Sequence, residues 1–416
     1  MSDVRMKGFY ERKSLKEVLE SVLPVLPRTR PEKIPTTSAL GRIAYGDIRA
    51  KRDVPHFDRA AMDGYAVVAE DTFKCSQENP ARLRLVGECV VGRRTDIEVR
   101  RGEAAQISTG APMPRGANAV VMLEYASLDD GYVKVYKPVA PFQNVSRRGE
   151  DVKAGDVVVA DGSAIRPQEI GLLLQCGVLE VSVASRPRVA IASTGSELVD
   201  ADKEPDVGQV VASNEHMLAA MTKIYGGEPV YLGIVPDERE AIKAVVTKAL
   251  SYDITVISGG TSVGKYDYVP EVVAEIGGKI VAHGLTIRPG GPTAVFLVGD
   301  KPVVCLPGFP VAAMVAFESV VVPLIRKMLG ARVLDPRPVV DAVLARRVPS
   351  TIGRRDFLRV KLEEGEGGIV AVPLRTAGSG VLSSMTRADG VVEIPEDVEG
   401  LEEGEKVRVK LFPHVF

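Results

Sequence analysis

The densest chemical signal in this sequence is Ser258-Gly259-Gly260-Thr261-Ser262-Val263-Gly264-Lys265-Tyr266-Asp267-Tyr268. An apolar run, Asp253 to Ile257, precedes it, and a helix-like run begins near Pro270. A glycine-rich loop between strand and helix lets backbone N–H groups close on an anion. Lys265 adds a cation to that cradle and Asp267 a carboxylate able to hold a metal. Two common motifs nearly fit. Gly259 to Lys265 follows the phosphate-loop spacing, but Tyr266 stands where a Ser or Thr hydroxyl must hold Mg²⁺. Gly260 to Gly264 follows the nucleophile-elbow spacing, yet only His283 and His414 lie downstream, and no oxyanion-loop glycine run precedes it.

A loop of this kind needs a sheet to hold it. From Pro187 onward the pattern alternates strand, loop and helix. Expected strands are Arg188 to Ala192, Val230 to Ile234, Asp253 to Ile257, Thr293 to Val298 and Pro302 to Leu306. Expected helices are Asn214 to Tyr225, Asp237 to Leu250, Tyr268 to Ile276 and Pro310 to Leu329. Such alternation predicts a doubly wound α/β sheet with helices on both faces. Ligands bind such a sheet outside the carboxyl ends of its strands. The loops expected there are Ser193 to Glu197, with Thr194 and Gly195; Pro236-Asp237-Glu238; Gly259 to Asp267; and Pro307-Gly308-Phe309-Pro310. Hydroxyls, free amides and the carboxylates Glu197, Asp237 and Asp267 suit a phosphate with a hard divalent cation, which takes oxygen ligands. Asp237 and Asn214 also read simply as helix N-caps.

The remaining segments frame this domain. Ser14 to Glu17 is a capping box opening an amphipathic helix to about Pro24. Residues 48–142 show short alternating runs, Leu83 to Val86, Ala119 to Leu123 and Val133 to Tyr136, and read as a small β domain. It is inserted into an elongated linker domain of 1–47 and 143–184, whose second part carries a helix-like stretch, Gln168 to Cys176. The α/β domain takes 185–331. Residues 332–416 hold five strand-like runs of a small barrel or sandwich: Val343 to Val348, Phe357 to Leu362, Ile369 to Pro373, Gly390 to Pro395 and Lys406 to Phe412.

Bulk composition excludes some classes. The chain has 416 residues, 45% apolar and 26% charged, with 53 basic against 55 acidic side chains, so no global field favours nucleic acid or an anionic membrane. No apolar run reaches membrane-spanning length, and the stretch Met1 to Arg12 is too polar for a secretory signal. Cys75, Cys89, Cys176 and Cys305 lack C-x-x-C spacing, which argues against a cysteine zinc site or a disulfide framework. A reducing cytoplasm is the expected location.

Seven segments in order give the chain a more specific likeness. They are Ala60-Ala61-Met62-Asp63-Gly64-Tyr65-Ala66, Ser108 to Pro114, Arg148-Gly149-Glu150-Asp151, Ser193 to Leu198, Ser258 to Tyr268, Leu306 to Val311 and Gly353 to Arg359. Over essentially its whole length the chain resembles the molybdopterin molybdenumtransferase family, which includes MoeA and the E domain of gephyrin-type proteins. The resemblance implies insertion of molybdate into adenylylated molybdopterin with Mg²⁺ and release of AMP. It also implies a homodimer whose cleft is shared between one subunit's α/β domain and the partner's β domain. Molybdopterin adenylyltransferase and molybdenum-cofactor apoenzymes would be protein partners.

The resemblance further assigns roles by position. Substrate would lie on Thr194, Gly195, Asn214, Ser258, Gly259, Gly260, Thr261, Ser262, Gly264, Lys265, Pro307, Gly308 and Pro310. The metal would lie on Glu197, Asp237 and Asp267. The oxyanion would meet Arg288, Arg359 and Ser379, with Asp63 and Asp151 completing the cleft. The chain departs from the family pattern at Ser196, His283, Arg288, Gly291 and Phe309, several of them at the oxyanion positions. These departures raise tungstate as an alternative oxyanion. An adenylyltransferase and a non-catalytic molybdopterin-binding scaffold are the alternative functions.

Overall fold

The computed structural model describes residues 12–259, 268–374 and 380–413. Gly260, Thr261, Ser262, Gly264, Lys265, Asp267 and Ser379 lie outside them.

The α/β domain is built on six strands: β1 (Arg188–Thr194), β2 (Glu228–Val235), β3 (Ile254–Ser258), β4 (Lys279–His283), β5 (Ala294–Val298) and β6 (Lys301–Leu306). Their order is β2-β1-β3-β6-β5-β4. The first four in that order run parallel, while β5 runs antiparallel to both its neighbours. The tight turn at Gly299-Asp300 joins β5 to β6 and enforces that reversal, with Gly299 at φ +62° where a side chain would be strained. β1 and β3 are buried almost throughout, as strands covered on both faces must be.

One face is covered by α1 (Asn214–Ile224) and by a long helix, α4, from Pro310 to Met328 with a π-helical turn at Phe317–Val321. Leu218, Phe317, Leu324 and Ile325 meet Val189, Ile191 and Val304 there. The other face is covered by α2 (Arg239–Ala249) and α3 (Val269–Glu275), through Ile242, Val246 and Val272 against Ile257 and Phe296. Alternate residues of one strand thus enter two different cores.

The N-terminal helix Leu15–Val22 has the expected capping box, Ser14 and Glu17 each bonding the other's backbone amide. Its apolar stripe goes elsewhere than expected. Val18 and Val22 join the core of α1 and α4, not that of the linker domain. The linker core instead gathers Ile48, Ala50 and Val54 with Val159, Ile165, Leu173 and Val181. Its ladders pair Pro31–Pro35 with Glu180–Ala184 and Ile48-Arg49 with Val157–Val159.

The β domain holds a six-stranded sheet ordered Ala119–Met122, Gly64–Val67, Glu103–Ile107, Ala81–Cys89, Tyr132–Val135, Ala126–Asp129. The C-terminal strands are β7 (Val339–Leu344), β8 (Arg355–Gly365), β9 (Gly368–Pro373), β10 (Gly390–Ile394) and β11 (Lys406–Leu411). They run β8-β9-β7-β11-β10, and β10 pairs back onto β8, closing a barrel. A two-residue strand, Ile287-Arg288, leaves the α/β domain to pair parallel with Arg355-Asp356.

A buried ionic network fastens these parts. Arg337 donates to Glu318 of α4 at 2.7 Å, and the Tyr225 hydroxyl donates to the other Glu318 oxygen at 3.1 Å. Arg337 also holds Asp335 at 2.8 Å, and Lys410 of the barrel reaches Asp335 at 2.9 Å. No helix of the described residues is long and apolar enough to cross a membrane.

Candidate functional site at the carboxyl edge of the sheet

Ladder register decides which loops meet. Ser193 pairs with Ser258, and Ser258 with Leu306, so β1, β3 and β6 end level. The segments Ser193 to Glu197, Ser258-Gly259 and Pro307-Gly308 therefore leave the sheet side by side. Gly259 donates its N–H to the Leu306 carbonyl at 2.9 Å, tying two of them together. At φ +99°, Gly259 sits where only glycine is relaxed, and a Cβ there would lie 2.4 Å from the Thr194 carbonyl oxygen. The opening of the glycine loop is thus dictated by the end of β1.

Asn214 is the crosspiece. Its Nδ2 donates to Ser258 Oγ at 2.8 Å and to the Gly308 carbonyl at 2.8 Å. Its place in the sequence reads as a helix cap, but Ser213 precedes the helix and the Asn214 amide spans two loops instead. Ser193 and Thr194 are buried, and among the described residues neither hydroxyl has a hydrogen-bond partner. Buried hydroxyls are usually satisfied, so two orphaned ones at a strand end mark a place where a polar ligand completes the structure. Ser193 belonged to the expected loop without being singled out as a ligand contact, since burial is not visible in one sequence.

Two carboxylates stand beside this edge. Glu197 folds back over Gly195, where a Cβ would come within 2.8 Å of both its oxygens. Asp237 accepts the Ser196 N–H at 3.3 Å. Burial, joined by the charge of Glu197, pushes the Asp237 carboxyl above the ordinary aspartate range, although the Ser196 bond opposes the shift. Two repelling carboxylates, one of them partly desolvated, form an oxygen donor set that fits a hard cation. Among the described residues no group of three or more His, Cys, Asp or Glu stands close enough to hold a metal. The third expected ligand, Asp267, lies outside them.

Of the expected oxyanion groups, Arg288 and Arg359 lie on or beside the barrel strand β8. β4 ends at His283 on the carboxyl edge of the sheet, and the chain from there carries Arg288 into its pairing with β8. Arg288 is ion-paired with Asp356, whose side chain is buried and also accepts from Ser350 at 2.7 Å. Asp356 lies within the Gly353-to-Arg359 segment, but nothing in the sequence marks it as the partner of Arg288. Arg359 is buried in β8, and desolvation lowers the proton affinity of its guanidinium. Phe309 is 62% exposed, and its ring packs against Gly380 of the barrel.

Asp63 and Asp151 lie in other domains. Asp63, at the head of strand Gly64–Val67, accepts from the Thr109 N–H at 2.6 Å and the Thr109 hydroxyl at 2.9 Å. Those bonds hold its carboxyl below the usual range. Thr109 is thus the missed partner, though it lies within the Ser108-to-Pro114 segment. Asp151 lies where the chain re-enters the linker, its N–H bonded to the Val54 carbonyl at 3.1 Å. Nearby, Arg148 holds Asp53 at 2.5 Å and gives its backbone N–H to Asp58 at 2.7 Å.

Comparison with known proteins covers nearly the whole chain. Residues 12–177 match the MoeA N-terminal region (domain I and II), 190–327 a probable molybdopterin binding domain, and 341–412 the MoeA C-terminal region (domain IV). A putative molybdopterin biosynthesis protein of Methanocaldococcus jannaschii is 41% identical over 389 residues, 91% of this chain and 92% of that protein. Molybdopterin molybdenumtransferase 2 of Mycobacterium tuberculosis is 34% identical over 404 residues, 95% of this chain and 99% of that protein. The crystal structure of the molybdopterin biosynthesis moeA protein from Pyrococcus horikoshii superposes with a TM-score of 0.86 at 35% identity, covering 97% of this chain and all of that one.

Proposed function

Because this chain belongs to the molybdopterin molybdenumtransferase family, whose members are transferases of molybdenum cofactor biosynthesis, we propose that it joins molybdate to adenylylated molybdopterin with release of AMP. The observation that carries this reading is the crosspiece of Asn214 between Ser258 and Gly308, beside the orphaned hydroxyls of Ser193 and Thr194. Loop amides and hydroxyls held level at one sheet edge suit the pterin phosphate and the adenylyl pyrophosphate.

Glu197 and Asp237, with Asp267, would hold Mg²⁺. When bound there it would neutralise pyrophosphate charge and polarise the phosphorus under attack. The chain's own groups do the rest. Asn214 fixes the spacing of the Ser258 and Gly308 loops. Thr194 and Gly259 shape the floor on which the phosphate lies. Molybdate is a tetrahedral dianion and needs fixed donors, which Arg288 and Arg359, with Ser379, would supply. The Asp356 carboxylate already neutralises part of the Arg288 charge, so this oxyanion site is less positive than its arginine count suggests. Tungstate, of the same charge and shape, stays within reach of such a site.

Asp63 and Asp151 would complete the cleft across a homodimer, facing the partner's sheet edge and orienting water or a protonated oxyanion. The reaction belongs in the cytoplasm, between an adenylyltransferase that supplies the substrate and apoenzymes that take the product. The deciding experiment is AMP release from adenylylated molybdopterin with Mg²⁺, adding molybdate or tungstate in turn. Release that depends on one oxyanion supports the transferase and identifies its substrate. Tight pterin binding with no release under either oxyanion would sink it.

A further inference from the structure

One charged cavity has no part in that reaction. It holds about 450 Å³ between the linker segment around Val158 to Arg166 and the C-terminal end of α4. From Pro310 to Arg326 the helix runs for roughly 24 Å at about 1.5 Å per residue, which separates the cavity from the sheet edge. Arg166, Arg326 and Arg332 line it, and Glu169 is the only carboxylate among its lining residues.

The charges do not balance. Arg166 and Glu169 form a forked ion pair that also caps helix Pro167–Gln175. Arg326 gives its Nε to the Val333 carbonyl at 3.1 Å, and Arg332 gives its Nε to the Asp161 carbonyl at 2.8 Å. The backbone N–H of Arg332 bonds the Gly162 carbonyl at 3.0 Å, so Arg332 is pinned across the joint to the linker, while Arg326 is held by the segment that follows its own helix. Among the described residues neither guanidinium has a carboxylate partner, and their Nη groups make no hydrogen bond. The cavity thus carries two guanidinium groups without carboxylate partners, Arg326 half-buried and Arg332 at its exposed mouth, each oriented by its Nε bond. Burial already weakens the proton affinity of Arg326, the direction expected of a cation held from water without a counter-ion. The carbonyls at the end of α4 amount to only about half a negative charge, and Lys327 stands at the same turn. Two fixed planar forks match a phosphoryl dianion, and the walls beside them, Val158, Ala164 and Val333, are apolar.

We propose that this cavity binds a small organophosphate, a phosphate monoester whose dianionic head lies on Arg326 and Arg332 and whose body rests on the apolar wall. The volume lies within the range of small-molecule sites, roughly 300–1,000 Å³. Because the site lies far from the sheet edge, the proposal stands whether or not the transferase reading holds.

Titration calorimetry and thermal melts of the full chain test it, with ribose 5-phosphate as probe, ribose as the uncharged control and inorganic phosphate as the headgroup alone. Ribose 5-phosphate is expected to bind and raise the melting temperature, and ribose is not. Arg326→Gln and Arg332→Gln are each expected to weaken binding about tenfold or more, the scale of a lost charge-assisted bond. Arg332→Lys, which keeps the charge without the fork, is expected to weaken it less. Asn214→Ala, at the sheet edge, is expected to leave it unchanged. Absence of binding by the folded wild type overturns the proposal. So does binding that Asn214→Ala removes and the arginine variants leave intact, or binding of inorganic phosphate with none of the sugar phosphate.

Discussion

Gly259 lies so close to Thr194 that a methyl group on it would stand 2.4 Å from the Thr194 carbonyl oxygen and 2.9 Å from its hydroxyl. The contact joins the first glycine of the loop to the end of β1. Gly259→Ala combines this clash with a positive φ, a strain of about 1–3 kcal/mol. The variant is expected to melt several degrees lower and to lose at least about tenfold in AMP release for each 1.4 kcal/mol of misplacement at the edge. An unchanged melting curve with full activity would show that the strand end tolerates displacement.

Asn214→Ala removes both bonds of the crosspiece and leaves the Gly308 carbonyl and Ser258 hydroxyl short of a donor, a cost of about 1–3 kcal/mol. Asn214→Asp keeps the shape but turns the donor into an acceptor facing a carbonyl. Both variants are expected to raise the Michaelis constant for adenylylated molybdopterin by about 10-fold or more, with the aspartate worse. Steady-state kinetics of the two side by side checks the order.

Asp237 gives the proposed metal site its pH dependence. Its carboxyl is pushed up by burial and by Glu197, so its folded-state proton affinity exceeds that of the unfolded chain. The sign follows: without metal, protonating Asp237 favours the folded state, so its contribution to stability grows as pH falls through the raised value. A bound cation reverses this preference by favouring the ionised form. Metal-free protein is therefore expected to gain more melting temperature from Mg²⁺ at pH 8 than at pH 5, and Asp237→Asn to lose most of that gain. Differential scanning calorimetry with and without EDTA reads the difference.

Asp63 is exposed, and among the described residues its carboxylate bonds only Thr109. Asp63→Asn keeps an acceptor for both bonds, so stability is expected to change by less than about 0.5 kcal/mol. AMP release is expected to drop about 100-fold, the scale of a lost positioned acid–base group. Wild-type turnover by a well-folded Asp63→Asn protein would remove Asp63 from the cleft.

The network around Glu318 predicts a structural effect. Both Glu318 and Arg337 are about 95% buried at their side chains, so truncating Arg337 strands the Glu318 charge, whereas Arg337 keeps Asp335. Arg337→Met is expected to cost about 3–5 kcal/mol, seen as a lower denaturation midpoint, and Glu318→Gln in the same chain to restore part of it. Asp335 adds a pH signature. Burial raises its carboxyl, but Arg337 and Lys410 outweigh that and hold it well below the usual range. Its stabilising contribution is present above the unfolded-state value and is lost as pH falls toward the depressed one. The acid limb of the wild-type stability curve should flatten in Arg337→Met.

Much of the frame was legible in the sequence because its signals are local. The runs at Arg188, Val230, Asp253 and Pro302 are apolar and β-branched, and each became a strand within a residue or two. The Ser14 box and the barrel strands at Phe357, Ile369, Gly390 and Lys406 followed their own caps and alternation. The strand Lys279–His283 was not read, because it lies at the sheet's end with only Val281 and Ala282 buried and shows no continuous apolar run.

The loops that meet at the carboxyl edge of the sheet were also named from the sequence, since strand ends and glycines mark them wherever they fall in space. What those loops touch was decided only by tertiary structure. Asn214 bonds residues 44 and 94 positions away, and Arg288 finds Asp356 across 68. The stripe of Leu15–Val22 enters the α/β core, and β10 closes the barrel on β8. Those choices depend on register and on which apolar faces remain uncovered once the sheets have formed. A single sequence states the faces but not their partners, because partner choice is settled by the burial and the hydrogen-bond satisfaction of the whole chain at once.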